Sequence, residues 1–346
     1  MHADVVVIGA GQAGLAAAYA LQRAGADFVV LDGDAGPGGA WQHRWPSLRL
    51  DRAHRIHPLP GMPLPAADPA APASGVVAGY FADYERRFDL PVRRPVAVRA
   101  VRATGDGFAV DTSEGEWTAR GIVNATGTWT RPFWPAYPGR ELFAGRQLHA
   151  ADDRGAAEFR GQHVVVVGGG TSAVQQLIEI SEVTTTTWVT RREPVWRTDG
   201  FGPDAGRAAV ALVDRRVRAG LPPGSVVSVT GLMETEAVLA ARARGVLDRL
   251  PVFDRLTPDG VAWDDGRSVR ADVVLWATGF RAALDHLAPL HLRSAGGGIA
   301  MDGTRVVAQP RLHLIGYGPS ASTIGANRAG PAAVRELLRT LSAAAA

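Results

Sequence analysis

The sequence predicts an α/β fold built from two related parallel-sheet units, the second inserted into the first. Three observations carry this. Short apolar runs alternate with alanine-rich helical stretches, the rhythm of repeated β-α-β units. Two glycine loops open at Gly9 and Gly168, 159 residues apart (168 − 9). Two Ala-Thr-Gly turns, at Thr126 and Thr278, lie 152 residues apart (278 − 126). A similar offset for two different motifs indicates a duplicated unit, with the chain returning to the first unit after Ala277.

In chain order, residues 5–8 read as a buried strand, 15–24 as the following helix and 28–31 as the next strand. Pro58, Pro60, Pro63, Pro65, Pro69 and Pro72 forbid helix and central strand, so 57–72 reads as an ordered loop or lid. Residues 80–88 suit a helix, and 96–101 and 108–111 suit strands around the turn 104–107. A second β-α-β unit begins at Val164. Residues 273–276 and 312–315 read as strands before a final helix from about Pro331, whose missing amide suits a first turn.

Composition narrows the function. The 346 residues suit two domains, and 46% hydrophobic with 21% charged residues is the balance of a chain with a full core. No run of 18 apolar residues exists, so no membrane span is expected. A strand follows Met1 directly, leaving no room for a signal peptide, and the cytoplasm is the expected location. All 37 basic residues are arginine, scattered among acids for a net charge of +3, so no nucleic-acid stripe is expected. The absence of lysine excludes Schiff-base chemistry. The absence of cysteine excludes disulfides, thiolate metal sites and thiol nucleophiles. His43, His54 and His57 lack ligand spacing, and no metal is expected.

The glycine loops carry the chemistry. The first is Gly9-Ala10-Gly11-Gln12-Ala13-Gly14, between a strand and a helix. The first glycine permits a tight turn, the second lets backbone approach a diphosphate, and the third lets helix and strand pack closely. The helix N-terminus then faces the phosphates. Asp32, followed by Gly33, ends the next strand 23 residues after Gly9 (32 − 9), where an acid accepts both ribose hydroxyls. The second loop is Gly168-Gly169-Gly170-Thr171-Ser172-Ala173, with alanine in the third place. The same count from Gly168 reaches Arg191 (191 − 168), followed by Arg192, with Arg197 near. An acid repels a ribose 2′-phosphate and an arginine binds it bidentately, which favours NADPH over NADH. Small residues in the turns Thr126-Gly127 and Ala277-Thr278-Gly279 let backbone lie against a cofactor.

These loops and turns, with Gly38-Gly39-Ala40-Trp41, resemble the flavin-containing monooxygenases and their short bacterial relatives over nearly the whole chain. Residues Phe143 to His149 are similar to the family's F-x-G-x-x-x-H signature, and Thr190 to Trp196 resemble its NADPH-phosphate segment. The chain departs from the pattern at Asp51, at Asp153 and at Thr171. The resemblance implies two Rossmann-like dinucleotide-binding domains: an FAD domain over 1–155 and 278–346, and an inserted NADPH domain over 156–277. Gly9, Gly11, Gln12, Ala13, Gly14, Asp32, Gly33, Gly39, Trp41, Arg49, Val98, Thr126 and Gly127 are the expected FAD-side contacts. Gly168, Gly170, Thr171, Ser172, Ala173, Arg191, Arg192, Ala277, Thr278 and Gly279 are those toward NADPH.

The implied activity is oxygenation. Hydride enters from NADPH, and in the resembling family a flavin C4a-hydroperoxide then passes one oxygen atom from O2 to a small organic substrate. Related thioredoxin-reductase-like enzymes use a cysteine pair, which this chain lacks. Trp41, Arg49 and Asp51 are expected at the flavin, with Arg49 stabilising negative charge and Asp51 orienting the nicotinamide amide or relaying a proton. His149 is expected to link domains. The loop 57–72, the helix 205–219, Phe201, Trp263 and Trp129 are candidate pocket walls. Sulfur or nitrogen oxidation and Baeyer–Villiger oxidation all stay open. So do two other readings, a flavin reductase passing electrons to a quinone or protein partner and a redox sensor without turnover. A homodimer is one expected assembly.

Overall fold

In a computed structural model of the chain, residues 1–53, 56–198, 203–224 and 231–344 are described. The expected positions His54 and Phe201 lie outside them. The first part of the chain folds as β1 (His2–Ile8), α1 (Gln12–Arg23), β2 (Phe28–Leu31), α2 (Ala73–Arg87), β3 (Val92–Arg93), β4 (Val98–Ala103), β5 (Phe108–Thr112) and β6 (Gly115–Asn124). The middle adds β7 (Arg146–His149), β8 (Val164–Val167), α3 (Thr171–Ser181), β9 (Thr186–Thr190), β10 (Trp196–Arg197), α4 (Pro203–Arg218), β11 (Leu232–Met233) and α5 (Glu236–Ala243). It ends with β12 (Arg249–Pro251), β13 (Arg255–Thr257), β14 (Gly260–Ala262), β15 (Ser268–Arg270) and β16 (Val273–Trp276). The last part is β17 (Met301–Asp302), β18 (Arg305–Val306), β19 (Gln309–Leu314) and α6 (Thr323–Ala343).

The first sheet has the order β17-β18-β19-β6-β1-β2-β3, with β4 and β5 added as an antiparallel meander on β6. Its centre, β19-β6-β1-β2-β3, is parallel. Alternation explains why β1 reads as an unbroken apolar run. Val5 and Val7 face a core with α1, α2 and α6, while Val6 and Ile8 face a second core with β4, β5 and β6. A strand covered on both faces needs apolar residues at every position. A Cβ on Gly330 would lie 2.8 Å from Ala17 N, so glycine is what lets α6 lie against α1.

The second sheet, β12-β9-β8-β16-β7, is parallel throughout. The four valines of β8 alternate in the same way: Val164 and Val166 pack with α3, Val165 and Val167 with the β13-β14-β15 side.

Three expectations change. The strand Arg146–His149 lies before the expected boundary at 155, yet it pairs with β16 of the second sheet. The final helix begins at Thr323, capped by the Ser322 side chain accepting from Gly325 N–H, and carries Pro331 inside it. Sequence reading placed the start at the proline because proline suits a first turn; the serine cap supplies the actual one. Helix α4 lies within the second unit by chain order but docks on the first sheet's core, where Val217 is buried and Arg218 pairs with Asp302. The proline-rich segment is a tied loop. Tyr80 Oη accepts from Leu59 N–H and donates to Met62 O, Tyr84 Oη donates to Pro60 O, and Asn327 donates to Pro58 O.

Candidate active site

The two glycine loops leave their sheets by the same set of hydrogen bonds. Gly9 N–H donates to Leu31 O at 2.8 Å, and Gly168 N–H donates to Val189 O at 3.0 Å. Ala125 N–H donates to Ile8 O, and Ala277 N–H donates to Val167 O. Both opening glycines have positive φ, +98° at Gly9 and +147° at Gly168. A Cβ there would meet Ala125 O at 2.8 Å and Ala277 O at 2.2 Å respectively, so the neighbouring turn excludes any side chain. Gly11 and Gly170 precede α1 and α3 without any side-chain cap. The first-turn amides of both helices are therefore left for a ligand anion. Both loops sit at the carboxyl ends of parallel strands, where open α/β sheets bind ligands.

The first cradle is tight. A Cβ on Gly14 would lie 1.9 Å from Gly9 O, and one on Gly39 would lie 2.7 Å from Gly11 Cα. The segment Gly39–Trp41 is thereby pressed onto the glycine loop. Asp32 is buried, and its Oδ2 accepts from Arg94 Nε at 3.0 Å and Nη2 at 2.9 Å. Arg94 also pairs with Glu85 on α2 at 2.6 Å. Burial pushes the Asp32 carboxyl up and Arg94 pulls it back. Both arginine contacts fall on Oδ2, and among the described residues Oδ1 has no side-chain donor and is left for a ribose. Gln12 donates to Asn327 and to His57 O, which ties the cradle to α6 and to the proline-rich loop. Val96 N–H donates to Asp32 O, and Val98 follows on β4, half-buried against the core. Ala13 is buried in α1, and Gly33 is exposed beside the backbone of Ala97.

The second cradle corrects a count. Ile8 pairs with Leu31, and Val167 with Val189, so the position matching Asp32 is Thr190, not Arg191. Helix α1 has 12 residues and α3 has 11, which shifts the equivalence by one. Thr190 is buried and donates to Arg192 O. Arg191 and Arg192 follow as exposed side chains with no ion pair among the described residues. The acid is replaced by a neutral hydroxyl, with two open cations next to it. Around Gly170 a Cβ would meet nothing within 4 Å, so this loop is open. Thr171 and Ser172 begin α3, and Ala173 is buried beneath it. Arg197 lies on β10.

Each Ala-Thr-Gly turn feeds a segment that crosses to the other sheet, and the two segments lie side by side. Ala283 N–H donates to Gly127 O, and Phe133 N–H donates to Gly279 O. Thr126 Oγ1 donates to Ala283 O, and Thr278 Oγ1 donates to Phe133 O. His149 fastens the same crossing. Its Nδ1 accepts from Ala151 N–H, so Nε2 carries the proton and donates to Gly279 O at 3.0 Å. Burial lowers its pKa and keeps the ring neutral. The expected linking role of His149 thus has a geometric basis. Rings from both crossings stack: Trp129 on Phe280 at 5.0 Å, and Phe280 edge-on to His149 at 5.0 Å.

The remaining expected residues divide. Trp41 stands beside the first cradle, with the Arg44 guanidinium 5.8 Å from its ring centre. Arg49 and Asp51 are exposed on a loop held by backbone contacts to Pro72 and Pro69. That loop touches α3: Ser47 donates to Glu179, and Gln175 donates to Arg52 O. Trp263 is core, 3% exposed, not a pocket wall. Sequence reading missed Arg94, Glu85 and Arg44. Arg44 lies three residues after the Trp41 motif (44 − 41), which was its only signal.

Both cradles fit dinucleotides: uncapped helix amides, a half-free buried carboxylate in one, and an open loop beside two cations in the other. No helix among the described residues is long and apolar enough to cross a membrane, and no metal-binding cluster is found among them.

Comparison with known proteins agrees. A family model described as pyridine nucleotide-disulphide oxidoreductase matches residues 6–206. The solved flavin-containing monooxygenase from Stenotrophomonas maltophilia is 40% identical, covering 98% of this chain and 99% of its own, with a TM-score of 0.82. The uncharacterized oxidoreductase CzcO of Bacillus velezensis is 26% identical over 81% of this chain and 82% of its own. The indole-3-pyruvate monooxygenase YUCCA1 of Oryza sativa subsp. japonica is 26% identical over 90% and 86%. The chain belongs to the pyridine nucleotide-disulphide oxidoreductase family, as an FAD- and NADPH-using oxidoreductase of the flavin monooxygenase kind.

Proposed function

We propose that this enzyme inserts one oxygen atom of O2 into a small organic substrate and reduces the other to water, consuming one NADPH and one proton. The point of attack is a sulfur or nitrogen atom or a ketone carbonyl. One observation carries the reading: the crossing segments lace the two Ala-Thr-Gly turns together, so both cradles open toward one junction in a chain with no cysteine to take electrons.

The bound flavin supplies the two-electron chemistry and the reaction with oxygen. The chain's residues position and shield. Asp32 takes the FAD ribose through Oδ1, and the amides opening α1 take its diphosphate. The amides opening α3 take the NADPH diphosphate, while Arg191 and Arg192 take the 2′-phosphate. The Trp129–Phe280 stack and Trp41 cover the junction and keep water from it. The exposure of Arg49 and Asp51 makes them weaker candidates, for charge stabilisation and for proton transfer respectively, than their sequence position suggests.

The test is oxygen accounting. The FAD-loaded enzyme is given NADPH, ¹⁸O2 and a panel of sulfides, amines and ketones. One labelled oxygen in product per NADPH consumed is the expected result. NADPH consumption balanced wholly by hydrogen peroxide, with no labelled product, leaves the flavin reductase reading instead.

A further inference from the structure

Among the described residues Arg44 is a cation without an anion. Its Nε is buried and has no hydrogen-bond partner. Among the described residues its side chain makes no ion pair and no hydrogen bond. Its guanidinium lies 4.8 Å from the Trp129 ring centre and 5.8 Å from that of Trp41. Of the two acids nearest in sequence, Asp51 is exposed and pairs with no arginine among the described residues, and Asp34 is taken by His43 and Gln42. Burial pulls the Arg44 pKa down, and no neighbouring charge opposes it.

The energetics do not balance within the chain. A half-buried guanidinium whose Nε is shut away from water without an acceptor is destabilising. Two cation–π contacts return only part of that cost. An external anion makes up the difference, and the cofactors' anions already have receptors. Each diphosphate has a helix N-terminus, and the 2′-phosphate has two open arginines. The position of Arg44 singles out another ligand. It lies against Trp129, whose ring stacks on Phe280 beyond the second turn, so it faces the junction where the two cradles meet. Two half-buried indoles flank it and offer flat surfaces.

We propose that Arg44 binds the carboxylate of the substrate, so that the enzyme oxygenates a small, flat organic acid. The planar guanidinium pairs with a carboxylate through two parallel hydrogen bonds, and the indoles hold the ring or chain that carries it. This substrate class rests on the oxygenating reading above, but the binding it requires is read without turnover.

The experiment titrates the FAD-loaded enzyme with benzoate and phenylacetate, and with the neutral amides benzamide and phenylacetamide. Binding is followed by flavin absorbance and tryptophan fluorescence. The acids are expected to bind roughly tenfold or more tighter than the amides, the scale of a charged hydrogen bond. Arg44→Gln removes that preference, and Arg44→Lys keeps part of it. The melting temperature of Arg44→Gln is not lowered, because no partner is left unpaired. Equal binding of acids and amides by the native enzyme overturns the proposal. So does an acid preference that survives in Arg44→Gln. An equal loss of NADPH affinity in that variant reassigns Arg44 to the cofactor's phosphates and also overturns it. If oxygen accounting fails while the acid preference holds, the carboxylate site stands and only the chemistry changes.

Discussion

The two cradles share one hydrogen-bond scheme and differ in tightness and charge. The first is closed: glycine at all three positions, a second glycine segment pressed onto it, and a buried acid gripped by Arg94. The second is open: alanine in the third place, a buried threonine where the acid stood, and two exposed arginines just beyond. The first suits a cofactor that stays, the second one that comes and goes with each turnover. A shared backbone hydrogen-bond scheme therefore leaves residence and selectivity to a few side chains.

The largest expected effect breaks the tightness. Gly14→Ala places a methyl against Gly9 O and is expected to cost about 3 kcal/mol or more, with the protein purified free of FAD. Ala173→Gly at the matching place of the second loop costs about 2 kcal/mol, the helix penalty of glycine plus the lost burial of one methyl, and leaves FAD bound. Flavin content and melting temperature check both; equal losses would erase the contrast between the loops.

Next comes the buried pair. Arg94→Met leaves the buried Asp32 and the half-buried Glu85 without their shared cation, with an expected cost of about 3 kcal/mol and faster FAD release. NADPH affinity measured on the FAD-loaded fraction should hold. A matching drop in NADPH affinity would mean that the cradles are not independent.

The smallest effect sharpens the charge difference. Arg191→Ala is expected to raise KM for NADPH roughly tenfold, with KM for NADH little changed. Thr190→Asp places an acid at the position matching Asp32 and should act against NADPH in the same direction. Steady-state kinetics with both nucleotides decides; equal effects on NADPH and NADH would remove the 2′-phosphate from this site.

Legibility followed the range of the interactions. Runs such as Val164–Val167 announced buried strands, because a strand covered on both faces must be apolar throughout. The glycine loops were readable because a positive φ and a close backbone approach leave glycine almost no rival at Gly9 and Gly168. Counting failed where it relied on a constant element length. The residue 23 places after Gly168 is one beyond the equivalent of Asp32, because α3 is a residue shorter than α1. The start of α6 lies at the Ser322 cap and not at Pro331, because the capping side chain satisfies a first-turn amide whereas a proline only tolerates a first turn. Arg94 was invisible, since its two acids come from a strand end and a helix far apart in the chain.

By itself the sequence determined the class of fold, the duplication, the two cradles and the absence of thiol chemistry. Each follows from local rules of backbone conformation, alternation or composition. Only the tertiary structure decided that Arg146–His149 joins the second sheet, that α4 crosses to the first, and that the two crossing segments bond to one another. It alone showed Asp32 held by Arg94, and Arg44 set between two indoles with no anion beside it among the described residues. Pairing and burial are made between segments distant in the chain, and no local pattern records which of them will meet.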